Sequence, residues 1–396
     1  MKREHPVDGR VASGPQATER GAKEKRMWQF IKNNIILIAA WVLALASMFF
    51  VPPSSEYIGY IDFRTLIILW GLMVITKGLM EQGVFRIMAH KLIQKTGNER
   101  QLAVCLVLIC FCISMLITND VALITFVPFT IYVFYERENK SNLVIVLVLE
   151  TVAANLGSMM TPIGNPQNLY LFNLSKMTIG QFVGLMAPLT AISLIGVLAL
   201  SMLVDKDHGQ DEGITLSMKS LNKVKSVPTT MIFLAMLLLG IAVVLRIVEP
   251  LAFAGATLIV FALISPKTLL RVDYGLLFTF IGFFIFVGNV GNYHAINGLI
   301  TEMVQGHEML AGIGASQVIS NVPAAILLSG FTDNFAELIK AVNIGGLGTP
   351  IASMASLITF KFYANEKYAK KRKYLLAFSL INLIMLAVLI TFSLFI

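Results

Sequence analysis

The chain of 396 residues is 56% hydrophobic and only 14% charged, with a mean hydropathy of +0.76 and a formal net charge of +8. Its 26 Phe and 19 Met exceed what one water-soluble core holds, and apolar runs recur from Ile35 to the C-terminus, so a soluble enzyme is excluded and a membrane protein is expected. The basic residues sit in short clusters between apolar runs, which orients a membrane protein rather than forming the continuous patch that nucleic acid needs.

Residues 1–30 read as a disordered cytosolic tail: the segment is polar and lacks the apolar centre and small-residue cleavage site of a signal peptide. Full spans are expected at Ile35–Val51, Thr65–Met80, Leu143–Leu171, Phe182–Val204, Met231–Leu245, Leu251–Ile264, Tyr274–Val290, Ala341–Phe360 and Tyr374–Ile396. The segments 102–134 and 309–331 carry polar residues at their midpoints, and each reads as a re-entrant hairpin of two half-helices. Cys105, Cys110 and Cys112 share one apolar run without metal-ligand partners and read as core hydrophobes. With the N-terminus inside, every Lys and Arg except Arg64, Lys176, Arg246 and Lys340 falls at or near a cytosolic loop, and the C-terminus lies outside. No Lys or Arg occurs between Gly291 and Ile339, so the feet of the second hairpin are expected outside, opposite to those of the first.

Two hairpins entering from opposite faces point to an inverted-topology repeat, and residues recur in order. Asp62 and Gly71 match Asp273 and Gly282, Ile117-Thr118-Asn119 matches Ile319-Ser320-Asn321, and Asn155-Leu156-Gly157 with Thr161-Pro162-Ile163 matches Asn343-Ile344-Gly345 with Thr349-Pro350-Ile351. The expected fold is an all-α polytopic membrane protein. A first repeat at 31–204 contains hairpin 102–134 and broken helix 143–171. A cytosolic linker at 205–230 follows, and then 231–396, a linking span plus an inverted repeat with hairpin 309–331 and broken helix 341–360.

Gly and Pro break the backbone ladder in both broken helices, which hydrocarbon tolerates only where the freed N–H and C=O groups face protein, water or a ligand. Matched breaks mark a binding site near the midplane, with half-helix N-termini for an anion and unwound carbonyls for a cation. Packing kinks and interhelical hydrogen bonds are the plainer reading of any single cluster. Asp120 is the sharpest residue, because a carboxylate at membrane depth needs a cation, a proton or a basic partner. Glu150 divides evenly between that role and a helix-to-helix hydrogen bond. Asn289 and Asn292 read as helix-end caps, and the histidines, all in loops or amphipathic connectors, support neither a proton relay nor a metalloprotease.

At these clusters the sequence resembles the ion transporter superfamily. Its citrate-transporter-like domain is shared by arsenite permeases, sodium/proton antiporters and sodium–dicarboxylate/sulfate symporters. In the dicarboxylate branch the tips carry Ser-Asn-Thr; here Thr118-Asn119-Asp120 and Ser320-Asn321-Val322 hold those places, and the Asn-Asp pair looks more like the permease and antiporter branches. The resemblance implies a scaffold domain, a transport domain with both hairpins and both broken helices, frequent homodimers, and an elevator-type displacement.

The leading expectation is a secondary active transporter, not an enzyme, in the plasma (inner) membrane, moving a small anion or oxyanion (a carboxylate, sulfate-like or arsenite-like) with Na⁺ or H⁺ as coupling ion and no cofactor. Asn119, Thr161, Asn165, Ser320, Asn321 and Thr349 would bind substrate; Thr118, Asn119, Asp120, Gly157, Asn321 and Gly345 would serve the coupling cation. The same-class alternative is a Na⁺/H⁺ antiporter in which Asp120 exchanges the two ions. A membrane enzyme or receptor is the remote alternative, since G-x-S-x-G, H-E-x-x-H and P-loop motifs do not occur.

Overall fold

A computed structural model describes residues 34–93, 96–135, 142–206 and 224–395; the expected tail and most of the linker lie outside the described residues. Helices are the only regular elements among the described residues, and their order runs twice through one series. The first series is α1 (Ile35–Ser47), α2 (Tyr57–Tyr60), α3 (Phe63–Gln82), α4 (Val84–Ile93), α5 (Glu99–Ser114), α6 (Asn119–Tyr135), α7 (Leu143–Ser158), α8 (Pro166–Ser175) and α9 (Ile179–Ser201). A joining helix, α10 (Val227–Val244), leads to α11 (Pro250–Ile264), α12 (Pro266–Leu269), α13 (Tyr274–Asn292), α14 (His294–Val304), α15 (Glu308–Ile319), α16 (Asn321–Ser329), α17 (Phe335–Ile344), α18 (Met354–Ala364) and α19 (Lys371–Ser393).

Polar caps decide where the apolar helices start. Asp62 accepts from Thr65 N at 3.0 Å to open α3, and Asp273 accepts from Leu276 N at 3.2 Å to open α13, with φ/ψ of −78/83 and −77/83. Thr178 and Gln181 form a capping box on α9, and Gly83, at φ +84, ends α3 in the left-handed conformation that a residue without Cβ adopts readily.

Five stretches are long and apolar enough to cross a membrane: Phe63–Gln82, Ile179–Ser201, Val227–Val244, Pro266–Asn292 and Lys371–Ser393. The chain is therefore an all-α, multi-pass membrane protein. The other expected spans are shorter or interrupted. α1 and α11 have 13 and 15 residues, about 20 and 22 Å at about 1.5 Å per residue, and Leu143–Leu171 and Ala341–Phe360 each divide into two helices.

The core centres on α7, all of whose residues except Ile145 are buried, and which packs against α5, α6, α9, α18 and α19. α1 packs on α13, and α3 packs on α10 and α11, whose outer faces present Leu238, Leu251 and Leu263 to the surroundings. Three side chains differ from expectation. Cys112 is exposed on the outer face of α5 instead of sitting in the core. Asn289 and Asn292 are not caps: Asn289 Nδ2 donates to Ser47 Oγ (2.9 Å) and Tyr57 OH (2.8 Å), and Asn292 Nδ2 to Tyr60 OH (2.7 Å), tying α13 to α1 and α2.

Candidate functional site

Each helix pair with a polar tip seats that tip on one broken helix. At the first tip, between α5 and α6, Asn119 N donates to Gly164 O at 3.0 Å, in the break between α7 and α8. At the second, between α15 and α16, Asn321 N donates to Ala352 O at 2.9 Å, in the break between α17 and α18. These are corresponding positions of the two series, and the correspondence extends outward. Thr161 Oγ1 donates to Met115 O, as Thr349 Oγ1 does to Gln317 O. Gly157 lies so close to α5 that a Cβ there would stand 2.1 Å from Phe111 O, and a Cβ at Gly345 would stand 2.7 Å from Ser316 Oγ on α15.

The breaks also bond to each other in reciprocal fashion. Asn155 Oδ1 accepts from Ser353 Oγ at 2.9 Å, and its counterpart Asn343 Oδ1 accepts from Asn165 Nδ2 at 3.1 Å. Asn119 Nδ2 adds a bond to Asn155 Oδ1 at 3.0 Å, so one carboxamide oxygen joins the first tip, the first broken helix and the second break. Asn155 Nδ2 is buried with no hydrogen-bond partner among the described residues.

Different residues satisfy the unwound carbonyls of the two breaks. In the first, Asn168 Nδ2 lies within 3.2–3.4 Å of Ser158 O, Met159 O and Thr161 O. In the second, Gln317 Nε2 donates to Gly345 O and Leu347 O, each at 2.9 Å, and Gln317 Oε1 accepts from Thr349 N at 2.8 Å. Without such partners these groups are expensive at membrane depth.

The side chains expected to bind ligand divide accordingly. Asn165 caps α8 with Oδ1 (Asn168 N, 2.9 Å) and spends Nδ2 on Ser158 and Asn343, while Thr161 and Thr349 spend their hydroxyl protons on backbone. Gly157 and Gly345 are close-approach positions, and Gly345 O is held by Gln317. Thr118 is buried, its carbonyl accepting from Ala122 N. Ser320 bends the second tip at φ +76, ψ 153, a region almost restricted to glycine, and strain there costs about 1–3 kcal/mol. The Asn321 amide lies against Gly346, where a Cβ would stand 2.8 Å from Nδ2. Asp120 is half-buried and carries no ion pair among the described residues.

A cavity of about 300 Å³ borders the second tip and break, walled by Val322, Pro323, Ile351 and Met354 on one side and by Asp273 and Thr279 of α13 on the other, with Lys361 at its edge. The corresponding seam of the first series is bridged by hydrogen bonds. There Asn173, the counterpart of Lys361, donates through Nδ2 to Thr65 Oγ1 at 3.0 Å, and Thr65 in turn donates to Asp62, the counterpart of Asp273. The N-terminus of α18 meets this cavity without a side-chain cap: the Oγ of its N-cap residue Ser353 is turned toward Asn155, to which it donates, whereas α8 is capped by Asn165. Gln317, Asn168, Ser353 and Asn155 are the site residues that sequence reasoning did not assign. The signal for Gln317 was a carboxamide in an apolar half-helix, three residues before Ser320 of the second tip.

The profile of the citrate transporter family matches residues 27–359, a stretch that contains both tips and both breaks. The chain belongs to the citrate transporter family. It is 33% identical to the inner membrane protein YbiR of Escherichia coli over 82% of this chain and 87% of that one, and 30% identical to an uncharacterized transporter of Methanocaldococcus jannaschii over 91% and 96%. It is also 32% identical to a silicon efflux transporter of Oryza sativa, over 35% of this chain and 28% of the plant protein. A member of the citrate transporter family works in a lipid bilayer on a small-molecule substrate, so the protein is a membrane transporter.

Proposed function

We propose that the protein is a secondary active transporter for a small anion or oxyanion, driven by Na⁺ or H⁺. One observation carries the reading: two tips rest on two broken helices through corresponding bonds, Asn119 N to Gly164 O and Asn321 N to Ala352 O, and one of these junctions opens on a cavity. In this reading the two series are inverted repeats, the N-terminus is cytosolic, and the cavity faces the cytosol. The uncapped α18 N-terminus, with Ser320 and Asn321 beside it and Lys361 at the rim, suits an anion. Thr161, Asn165 and Thr349 then frame the site rather than touch the substrate. Asp120, with Thr118 and Asn119 at the first tip, is the coupling carboxylate. Transport proceeds by displacement of the tips and breaks past α1, α3 and α13, which opens the Thr65–Asn173 seam as the cavity closes.

The second reading, a Na⁺/H⁺ antiporter of the same superfamily, is favoured by the unpaired carboxylate of Asp120. Counterflow in proteoliposomes separates the two, using labelled citrate, dicarboxylates, sulfate, arsenite and silicate with and without Na⁺ and a pH gradient. The anion reading expects exchange of one class, and Asp120→Asn should lose cation-driven accumulation while keeping exchange. Na⁺-driven proton movement with no anion exchanged would establish the antiporter instead.

A further inference from the structure

The interior around α7 holds a carboxyl group that this reading leaves unused. Glu150 is fully buried; its Oε1 accepts from Thr130 Oγ1 of α6 at 2.6 Å, and its Oε2 has no hydrogen-bond partner among the described residues. The Thr130 bond accounts for half of the carboxyl group. The other half is bare in apolar surroundings, where a charge is unfavourable and a proton is the simplest remedy.

The neighbours are weak acids and hydroxyls rather than cations. Cys110 of α5 and Tyr374 of α19 are both buried on helices packed against α7. Ser356 Oγ of α18 is buried without a partner among the described residues, the buried Tyr374 hydroxyl approaches Thr151, and Thr151, next to Glu150, bonds Thr359 of α18 at 2.8 Å. α9 carries no titratable residue, α6 presents Thr130, and on α17 the charges of Glu337 and Lys340 pair with each other at 2.7 Å. Among the described residues, no cation is therefore placed to pair with Glu150.

A second cavity, of about 390 Å³, opens between the start of α7 and the α18–α19 junction, walled by Tyr135, Leu143, Tyr363 and Lys373. Glu150 lies seven residues along α7 from Leu143, about 10 Å at about 1.5 Å per residue. The ring of Tyr363, in the cavity wall, stacks on that of Tyr374 with centroids 5.3 Å apart, and Tyr374 in turn approaches Thr151, the neighbour of Glu150. We propose that Glu150 is a proton-binding site, separate from the tips, that exchanges its proton with this cavity by way of Tyr374. A hydronium in the cavity gives a proton to the Tyr374 oxygen as the Tyr374 hydroxyl proton passes to Oε2, so the hydronium becomes water, Tyr374 ends neutral as it began, and release reverses both transfers. The consequence for transport rests on the carrier reading, but the binding does not.

Infrared difference spectroscopy of the reconstituted full-length protein during pH titration reads the site directly. The wild type should show a protonated-carboxyl band that converts to carboxylate as pH rises. Glu150→Gln should lose the band, Glu150→Asp should shift it, and Tyr374→Phe should keep it but slow its response to a pH jump severalfold. A band that persists unconverted at every pH means a permanently protonated structural acid and overturns the proposal, as does a titrating band that survives Glu150→Gln. An unchanged rate in Tyr374→Phe overturns the route. In transport, Glu150→Gln should lose proton-driven accumulation. Absence of counterflow in the wild type beside a titrating band would refute the carrier reading and leave the site standing.

Discussion

The two breaks present the same tip-to-break contact and anchor it in opposite ways. The first is secured from its own helix pair: Asn168, one turn into α8, reaches back to three carbonyls, Asn165 caps α8, and Asn165, Gln167 and Asn168 are all buried. The second is secured from outside, by Gln317 on the neighbouring half-helix. There Ser356 stands where Asn168 stands in the first, with its hydroxyl unpartnered, and Thr349 and Ile351 are exposed. Reach explains the difference: Asn165 carries an acceptor oxygen that caps its helix and a separate amide that reaches the other half, whereas the single Oγ of Ser353 is turned toward Asn155 and away from the α18 N–H groups. In the proposed displacement both breaks move together; within that body the first is the internally braced frame and the second borders the cavity.

Asn168→Ala should separate the two most strongly. It strips the buried Ser158 and Met159 carbonyls and the part-buried Thr161 carbonyl of their Asn168 contact, while Asn343 Nδ2 keeps Ile339 O, and at about 1–3 kcal/mol for each buried group orphaned the expected loss is on the order of 3 kcal/mol, read as a large fall in thermal stability and in folded yield. Retention of wild-type stability would show that the first break is not a frame.

Gln317→Ala should act on function more than on stability. Gln317 is half-buried beside the exposed Thr349, so water replaces its bonds at a stability cost of about 1 kcal/mol, while counterflow should fall by roughly tenfold or more as the second break loses its anchor. Equal effects of Gln317→Ala and Asn168→Ala on stability would erase the distinction between the breaks.

How much of this was legible depends on symmetry. Asn119 and Asn321, the two Thr-Pro-Ile segments and the two capping aspartates stand at matching positions, and the recurring bonds follow that match. Gln317 escaped because its counterpart is Met115, and a search for matched pairs passes over a residue that works in one half only. Asn165 was read as a ligand because a cap and a ligand use the same carboxamide chemistry. The start of α17 was placed at Ala341 rather than Phe335 because Glu337 and Lys340 look too charged for a buried helix. Their mutual ion pair at 2.7 Å, with Lys340 buried, removes that objection. Ser353 was passed over because nothing local marks a serine as diverted from capping.

Accessibility of the two matched isoleucines, Ile351 in the second break and Ile163 in the first, tests the central claim most directly. In a background with Cys105, Cys110 and Cys112 replaced by Ala, Ile351→Cys should react with a membrane-impermeant maleimide applied from the cytosolic face. The anion that exchanges in counterflow should slow that reaction, and Ile163→Cys should stay unreactive to reagent applied outside. Reaction of Ile163→Cys from outside as fast as that of Ile351→Cys from inside, or labelling of Ile351→Cys from the external face alone, would contradict a site that opens to the cytosol at the second break.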